Sequence, residues 1–290
     1  MGDRKVAELR SELAAGVFTV TIDRPAARNT ITYAVLDELL EVFDRADADP
    51  SVRAVIVTGA GEFFSAGTDL SAGSGGYDAD SPGFKPLRGG TRDVGGELAL
   101  RIFVSTKPVI AAINGTAVGI GVTMVLPMDV RIASEGARFG FPFARRGIVP
   151  ESCATWFLPR VVGIANAVDW SVTGRIFDAD EALRAGLVRE LVPAEQVLSR
   201  AQEVAREIAA HTSAVSVAVT RQLLWRQLGS PHPISANRLE SQALLALGSM
   251  GDAREGVAAF KAKRPPNFPL RVPRDLPDFY PWWQEEPFDD

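Results

Sequence analysis

The sequence has little cysteine and little histidine. Its single cysteine, Cys153, cannot form an internal disulfide, and its 2 histidines, His211 and His232, have no cysteine near them. Structural zinc sites require a cluster of such ligands at short spacing. We therefore expect no metal site, and we expect both histidines to be surface or packing residues.

The chain also lacks an excess of positive charge and a long hydrophobic run. Its 31 basic and 36 acidic residues give a net charge of -5, which argues against a nucleic-acid partner. The longest apolar stretches, residues 108–114 and 118–128, are too short and too often interrupted to span a bilayer. The first residues carry charges where a signal peptide needs an apolar run. We expect a cytoplasmic protein with no membrane role.

What the chain does have is enough apolar material for a large core. It is 46% hydrophobic over 290 residues. Residues 17–23 are rich in β-branched side chains and precede Pro25, which predicts a strand. Thr32 is a candidate N-cap for a helix from Ala34. The continuous apolar runs 54–58, 109–114 and 130–133 predict strands that are buried on both faces.

Two long segments differ from this pattern. Residues 71–96 contain many glycines and prolines and predict an irregular loop, which is either a lid over a site or a plain surface insertion. After Gly147 the pattern is helical, at residues 153–162, 165–173, 180–185, 194–210 and 214–228. We place a domain boundary near residue 195, with a core that contains the site at 1–195 and a helical packing region at 196–290.

The chain end contains several aromatic residues and prolines close together. Phe279, Tyr280, Trp282 and Trp283 make it too aromatic for a solvated tail. We expect this segment to dock on its own subunit or on a neighbouring one.

Two glycine-containing turns are the strongest functional signals. Residues 63–70 and 114–129 each follow a buried strand, and their glycines allow backbone N–H groups to come close to a ligand. Such turns hold anions or oxygens that become anionic. The same turns also occur simply where strand and helix pack closely.

The motifs in these turns resemble those of the crotonase (enoyl-CoA hydratase/isomerase) family. The resemblance is carried by S-A-G-x-D-L at 65–70, K-P-V-I-A-A-I-N-G-x-A-x-G-x-G at 107–121 and x-D-x-R-I-A at 128–133. It extends in collinear order to R-P-x-x-R-N at 24–29, F-G-F-P at 139–142, residues 174–188 and residues 255–265. It therefore covers nearly the whole chain.

The resemblance implies a fold, a substrate class and an assembly. The fold is α/β, of the ClpP/crotonase type: a spiral of repeated ββα units with a helical C-terminal region. The substrate is an acyl-CoA thioester, with coenzyme A as part of the substrate and no separate cofactor. The assembly is a homotrimer or a dimer of trimers.

The resemblance also implies which groups bind the thioester. Its oxygen is held by the backbone N–H groups of Thr68 and Ile120, which stabilise an enolate oxygen more than a neutral carbonyl. Lys263 matches a family lysine that reaches CoA phosphates, often across a subunit boundary. The positions we assign to substrate binding are Ala66, Gly67, Asp69, Leu70, Gly119, Gly121, Thr123, Phe143, Arg28 and Lys263. Asp69 and Asp129 lie inside the motifs, where we favour hydrogen bonds to backbone turns.

The sequence departs from the hydratase pattern at two positions. Where hydratases of this family have glutamates that activate water, this chain has Thr123 and Phe143. Glu151 instead resembles the single glutamate of the branch that shifts a double bond from the 3 to the 2 position of enoyl-CoA. Because the proton removed from one carbon is returned to another, one base suffices. Alternatively, Glu151 merely favours the N-terminus of the following helix.

We therefore predict an enoyl-CoA isomerase, with Glu151 as the base. The alternatives are an enoyl-CoA hydratase or another lyase of the same fold, and a non-catalytic acyl-CoA binding protein. A serine peptidase of the related Clp fold is a further alternative, although no histidine lies in the half of the chain that carries the motifs.

Overall fold

The computed structural model describes residues 8–69, 84–87 and 90–288. Its strands are β1 Leu9–Ala14, β2 Val17–Ile22, β3 Ala54–Gly59, β4 Phe63–Ser65, β5 Phe84–Leu87, β6 Gly90–Asp93, β7 Val109–Ile113, β8 Thr116–Val118, β9 Val130–Ser134, β10 Arg138–Gly140, β11 Ile176–Asp178 and β12 Glu190–Val192. Its helices are α1 Tyr33–Ala48, α2 Val94–Phe103, α3 Ile120–Thr123, α4 Ala154–Thr173, α5 Ala179–Arg184, α6 Val197–His211, α7 Ala214–Gln227, α8 Ile234–Gly248 and α9 Gly251–Ala262.

Most of the strands form two sheets, and the chain passes from one to the other several times. One has the order β1-β2-β3-β7-β9-β12, and the other has the order β11-β10-β8-β4. Three pairs of consecutive strands supply one strand to each of the two sheets: β3 and β4, β7 and β8, and β9 and β10. A helix follows each pair. All neighbours in the larger sheet are parallel except β1 and β2. This is the predicted spiral of ββα units, followed by a helical C-terminal region.

The central strands of the larger sheet are buried on both faces, as the apolar runs predicted. All five residues of β7 are buried, and so are residues 54–58 of β3. Their side chains alternate between two apolar clusters, because successive residues of a strand point to opposite faces. Val55 and Val57 join the large cluster with α1 and α2, whereas Ala54 and Ile56 join the cluster with α6.

The predicted helices agree with those of the structure to within a few residues. Thr32 caps α1 by accepting a hydrogen bond from the amide of Val35 at 3.1 Å. The break predicted between residues 162 and 165 is a kink in α4 at Gly163, whose φ of 76° is outside the helical range. None of the helices in the described ranges is both long and apolar enough to cross a membrane.

The prediction of an irregular loop over residues 71–96 was wrong for its described part. Strands β5 and β6 pair there as an antiparallel hairpin, and α2 begins at Val94. This helix starts despite two glycines because the Asp93 carboxylate accepts hydrogen bonds from the amides of Gly95 and Gly96, at 2.9 and 2.8 Å. The rest of that segment, including the residues on which the choice between lid and insertion depends, lies outside the described residues.

The aromatic chain end packs on its own subunit. Phe279, Tyr280 and Trp282 join an apolar cluster with α7 and α8. The guanidinium of Arg226 lies 3.5 Å from the ring centre of Trp283. Of the two expected docking partners, the same subunit and a neighbouring one, these contacts are with the same subunit.

Arg221 on α7 connects the helical region to the spiral. Its side chain is buried, and its Nε donates to both carboxylate oxygens of Asp129, at 2.8 and 2.9 Å. Its two other nitrogens donate to four backbone carbonyl groups, those of Ile102, Phe103, Ser105 and Pro127. The guanidinium group is thus fully hydrogen-bonded, as a buried charge requires.

Candidate active site

The two glycine turns lie side by side at the ends of two neighbouring parallel strands. β4 pairs with β8, and the chain beyond each strand turns at Gly67 and at Gly119. A Cβ atom on Gly67 would lie 2.9 Å from the carbonyl oxygen of Val118 and 3.9 Å from Cα of Gly119. With a φ of 99°, Gly67 also has a backbone conformation that other residues rarely adopt. Glycine is therefore what allows the two turns to touch.

The amides of Thr68 and Ile120 have no hydrogen-bond acceptor among the described residues. Ile31 donates to the carbonyl oxygen of Gly67 at 2.8 Å and accepts from the amide of Asp69 at 2.9 Å. Because N–H groups alternate along an extended chain, the N–H of Thr68 points away from Ile31. Ile120 is the first residue of α3, where an amide has no partner within the helix. No hydrogen bond from either amide to an acceptor is found within the ranges that the structure describes.

Asp69 and Asp129 do not have the same role. Asp129 accepts a hydrogen bond from the amide of Val109 at 2.7 Å, as predicted for a residue that supports a backbone turn. The carboxylate of Asp69 instead binds side chains, Arg24 at 2.9 Å and Thr30 at 3.1 Å. Arg24 and Asp69 thereby join the first motif to the segment after β2.

Glu151 lies in a buried network of hydroxyl groups and a second carboxylate. Its Oε1 accepts a hydrogen bond from the hydroxyl of Thr123 at 2.7 Å, and its Oε2 accepts one from the hydroxyl of Ser152. Burial, with the nearby negative charge of Asp93, raises the pKa of Glu151 to about 7, although the two hydrogen bonds oppose the shift. Glu151 can thus both accept and donate a proton near neutral pH.

The backbone around Glu151 is strained in a way that fixes its direction. Ser152 and Cys153 have φ values of 57° and 56°, a left-handed conformation that is uncommon for residues other than glycine. Residues in this conformation are found more often at functional sites than elsewhere. They make the sharp turn between Glu151 and α4, and Ser152 is fully buried.

The carboxylate of Glu151 and the side chain of Ile120 both lie against the first turn of α2, at Gly95. A Cβ atom on Gly95, in the first turn of α2, would overlap Oε2 of Glu151 and would lie 3.1 Å from Cδ1 of Ile120. Gly95 therefore leaves room for the carboxylate of Glu151 beside the side chain of Ile120. Thr123, which hydrogen-bonds Glu151, lies one turn after Ile120 on the same short helix.

The alternative role of Glu151 at a helix start receives no support from its side chain. No side chain caps the N-terminus of α4, and Glu151 contributes there through its carbonyl oxygen, which accepts from the amide of Ala154 at 3.0 Å. Its carboxylate is directed to Thr123 and Ser152 instead. The carboxylate of Glu151 therefore makes no capping hydrogen bond to α4.

The remaining residues assigned to substrate binding differ in burial, and of those in the two turns Gly121 is buried and Ala66 is half-buried. Thr123 and Phe143 are buried, and Thr123 belongs to the network around Glu151. Arg28 is exposed, with its guanidinium 5.6 Å from the ring centre of Phe63. Lys263 is exposed at the C-terminal end of α9, apart from this network. Leu70 lies outside the described residues.

Sequence reasoning missed Asp93. It is the N-cap of α2, and it also accepts a hydrogen bond from the amide of Ser152 at 2.8 Å. An aspartate directly before apolar residues at helical spacing, 94, 98 and 102, was the available signal for the cap. Nothing in the sequence pattern indicated its contact with the turn that carries Glu151.

Known proteins match this chain in sequence and in structure. The family model described as enoyl-CoA hydratase/isomerase matches residues 12–271. Enoyl-CoA hydratase ACTT3 of Alternaria alternata is 43% identical over 256 residues, which are 88% of this chain and 83% of that protein. The 1,2-epoxyphenylacetyl-CoA isomerase of Escherichia coli is 32% identical over 265 residues, 89% of this chain and 97% of that protein.

The solved structures agree with the sequence matches. The crystal structure of a putative enoyl-CoA hydratase from Streptomyces coelicolor superimposes with a TM-score of 0.82 and 30% identity, over 92% of this chain and 96% of that one. The predicted fold is therefore confirmed. From the family match over most of its length and from these relatives, the chain belongs to the enoyl-CoA hydratase/isomerase family.

Proposed function

We propose that this protein shifts the double bond of a 3-enoyl-CoA to the 2 position, with Glu151 as the proton carrier. The observation that carries the proposal is the position of one buried carboxylate, with a pKa of about 7, beside the side chain of Ile120. The backbone N–H groups of Thr68 and Ile120 are the proposed donors to the thioester oxygen.

The reaction needs only these groups. Glu151 removes a proton from carbon two, and the electron pair of the broken C–H bond moves onto the thioester oxygen to form a dienolate. The two N–H groups stabilise this oxygen, and each such donor typically contributes ~3 kcal/mol to the transition state. Glu151, whose carboxyl proton can exchange with solvent while the dienolate is bound, then donates a proton to carbon four, which leaves the double bond between carbons two and three. No water is consumed.

The pKa of Glu151 suits a group that must work in both directions. A carboxylate with an ordinary pKa is a weak base toward carbon, whereas one that is half protonated near pH 7 can take up the proton and release it. Desolvation is the main cause of the raised pKa of Glu151, so the burial that limits water around the carboxylate also makes it a stronger base.

Hydration of 2-enoyl-CoA is the second candidate. It is favoured by the names of several relatives, among them the hydratase from Alternaria alternata and the 2,3-dehydroadipyl-CoA hydratase of Escherichia coli. What speaks against it is that the motifs, by their resemblance, imply Thr123 and Phe143 at the positions of the hydratase glutamates. A hydratase reaction here would therefore have to use Glu151 to activate the water.

Incubation with 3-enoyl-CoA and with 2-enoyl-CoA in deuterated water separates the candidates. We expect 3-enoyl-CoA to become 2-enoyl-CoA with deuterium entering the acyl chain, and we expect little 3-hydroxyacyl-CoA from either substrate. Efficient formation of 3-hydroxyacyl-CoA from 2-enoyl-CoA would favour the hydratase. Binding of acyl-CoA without isomerisation, hydration or exchange at any chain length would favour the non-catalytic binding protein.

We further propose a homotrimer or a dimer of trimers, assembled through the helical C-terminal region. Large apolar side chains are exposed on α8 and α9: Leu244 and Leu245 are 76% and 78% exposed, and Phe260 is 85% exposed. Patches of this kind mark protein interfaces. Lys263, at the end of α9, would then be available to CoA phosphates, including those of a neighbouring subunit.

The assembly is expected to resist dilution. Light scattering at micromolar concentration should give three or six times the mass of one chain, 31.1 kDa. Replacement of Leu244 and Phe260 by serine should lower that mass, because both side chains lose apolar area that the assembly buries. A stable wild-type monomer under these conditions would contradict the proposal.

A further inference from the structure

The turn that carries Glu151 is bound by the carboxylate of a residue distant in the sequence, Asp93. Asp93 ends β6 and caps α2, and its Oδ2 accepts hydrogen bonds from two amides that belong to different elements, Gly96 in α2 and Ser152 after Glu151, both at 2.8 Å. Ser152 in turn donates its hydroxyl to Glu151. A chain of hydrogen bonds thus runs from α2 through Asp93 and Ser152 to the base.

We propose that Asp93 is a positioning residue for Glu151, which anchors the turn that carries the base to the N-terminus of α2 and places a second negative charge beside it. The strained backbone at Ser152 and Cys153 makes such an anchor necessary, because a left-handed pair persists only where its surroundings hold it. The close approach of Gly95 to Glu151 shows how little room the anchored carboxylate has. This inference rests on the proposed role of Glu151 as the base.

Among the residues that the structure describes, few other groups near Glu151 carry charge. From α3 it is faced by Thr123 and Ile120, and from α2 by Gly95, none of which titrates near neutral pH. On its own turn lies the Cys153 thiol, whose pKa is raised by burial and by Asp93, and lowered by Arg92. The pKa of Glu151 is raised first by burial and second by the negative charge of Asp93.

Titration of Glu151 in variants of Asp93 tests the proposal. Carboxyl carbons of glutamate are labelled with carbon-13, and the Glu151 resonance is identified by its loss in Glu151→Gln. In Asp93→Asn, which removes the charge, and in Asp93→Ser, which also keeps a good N-cap, we expect the pKa of Glu151 to fall by roughly one unit. The acid limb of the exchange rate against pH should move down with it. We expect kcat to fall about 10- to 100-fold from misplacement of the base, with little change in KM.

Asp178→Asn is the matched control. Asp178 caps α5 by accepting a hydrogen bond from the amide of Glu181 at 2.9 Å, so the substitution removes the same charge from an N-cap outside the network around Glu151. Asparagine and serine are about as good as aspartate at an N-cap, so all three variants should fold, but only those of Asp93 should shift the titration of Glu151 and the pH profile.

The outcomes separate this inference from the proposed function. If Glu151 titrates at the same pH in folded Asp93 variants and in wild type, or if Asp178→Asn shifts it equally, the inference is wrong even where the enzyme isomerises its substrate. If the pKa of Glu151 falls as expected but the wild-type enzyme catalyses neither isomerisation nor exchange, the charge coupling stands and the proposed function fails.

Discussion

Glu151→Gln is expected to lower the rate of deuterium exchange into the acyl chain by about 100- to 10,000-fold, the usual loss for a general base. Glutamine has nearly the same shape but cannot accept the proton from carbon two. The oxyanion donors and the rest of the pocket are unchanged, so acyl-CoA should still bind with similar affinity. Exchange is followed by mass spectrometry, and binding by calorimetry with a saturated acyl-CoA.

The pH dependence of the wild-type enzyme should show the same group. Because the base must be ionised, the rate is expected to rise as pH increases through about 7, the raised pKa of Glu151. The effect on stability has the opposite sign. The preference of the folded state for protonated Glu151 stabilises the protein below the ordinary pKa of 4.5, and this contribution is lost as pH rises through about 7. At pH 8, Glu151→Gln should therefore melt at a higher temperature than wild type.

Thr123→Ala is a useful companion to this variant. It removes one hydrogen bond to Glu151 but no proton acceptor, so measurable activity should remain. Wild-type exchange in Glu151→Gln would show that another group moves the proton, and the mechanism proposed here would be wrong.

The substitution Ile120→Pro is expected to lower kcat by about 100- to 1,000-fold, the loss that accompanies removal of one oxyanion donor. Proline lacks the N–H group, and this position tolerates it better than most. Ile120 is the first residue of α3, where the amide makes no bond within the helix and where proline is favoured. The loss should therefore come from the missing donor rather than from a broken helix. It is measured as kcat and KM with the preferred acyl-CoA.

Ile120→Val is the control for this variant. It keeps the N–H group and removes one methylene from a buried side chain, which typically costs about 0.5–1.5 kcal/mol of stability. It should keep most of its turnover. Thr68→Ala likewise keeps the second amide and should cost little. Equal turnover in Ile120→Pro and Ile120→Val would show that this amide does not hold the developing charge.

The parts of the fold that could be predicted from sequence are those whose signal is local. β3 and β7 are continuous apolar runs, α1 has a threonine cap and apolar residues at helical spacing, and each pattern gave nearly the observed bounds. The short strands β4, β8 and β10 gave no such signal, since three residues are too few to show a period and pairing with distant segments decides their structure. The helix α2 was not predicted because Gly95 and Gly96 disfavour a helix, and the cap that allows it to start there is supplied by Asp93.

The site followed the same division. The two turns could be proposed from their glycines, and Glu151 from its position relative to the family motifs. The hydroxyls that hold Glu151 could not, because Thr123 and Ser152 meet it only through the packing of α3 against the turn before α4. Arg221 is more than ninety positions from Asp129 in the chain, and only the folded structure brings them together.

Because Arg221 binds groups of the spiral, the helical region cannot be removed from this chain without loss of those contacts. Its hydrogen bonds satisfy four carbonyl groups, of residues 102, 103, 105 and 127, and the carboxylate of Asp129, all of which belong to the spiral. A fragment that ended near residue 195 would leave these acceptors without their donor, and it would also uncover the face of the sheet that α6 covers. The change from mixed to helical structure near that residue is thus not a place to cut. Expression trials and domain exchanges should keep α6 and α7 with the sheet on which they pack.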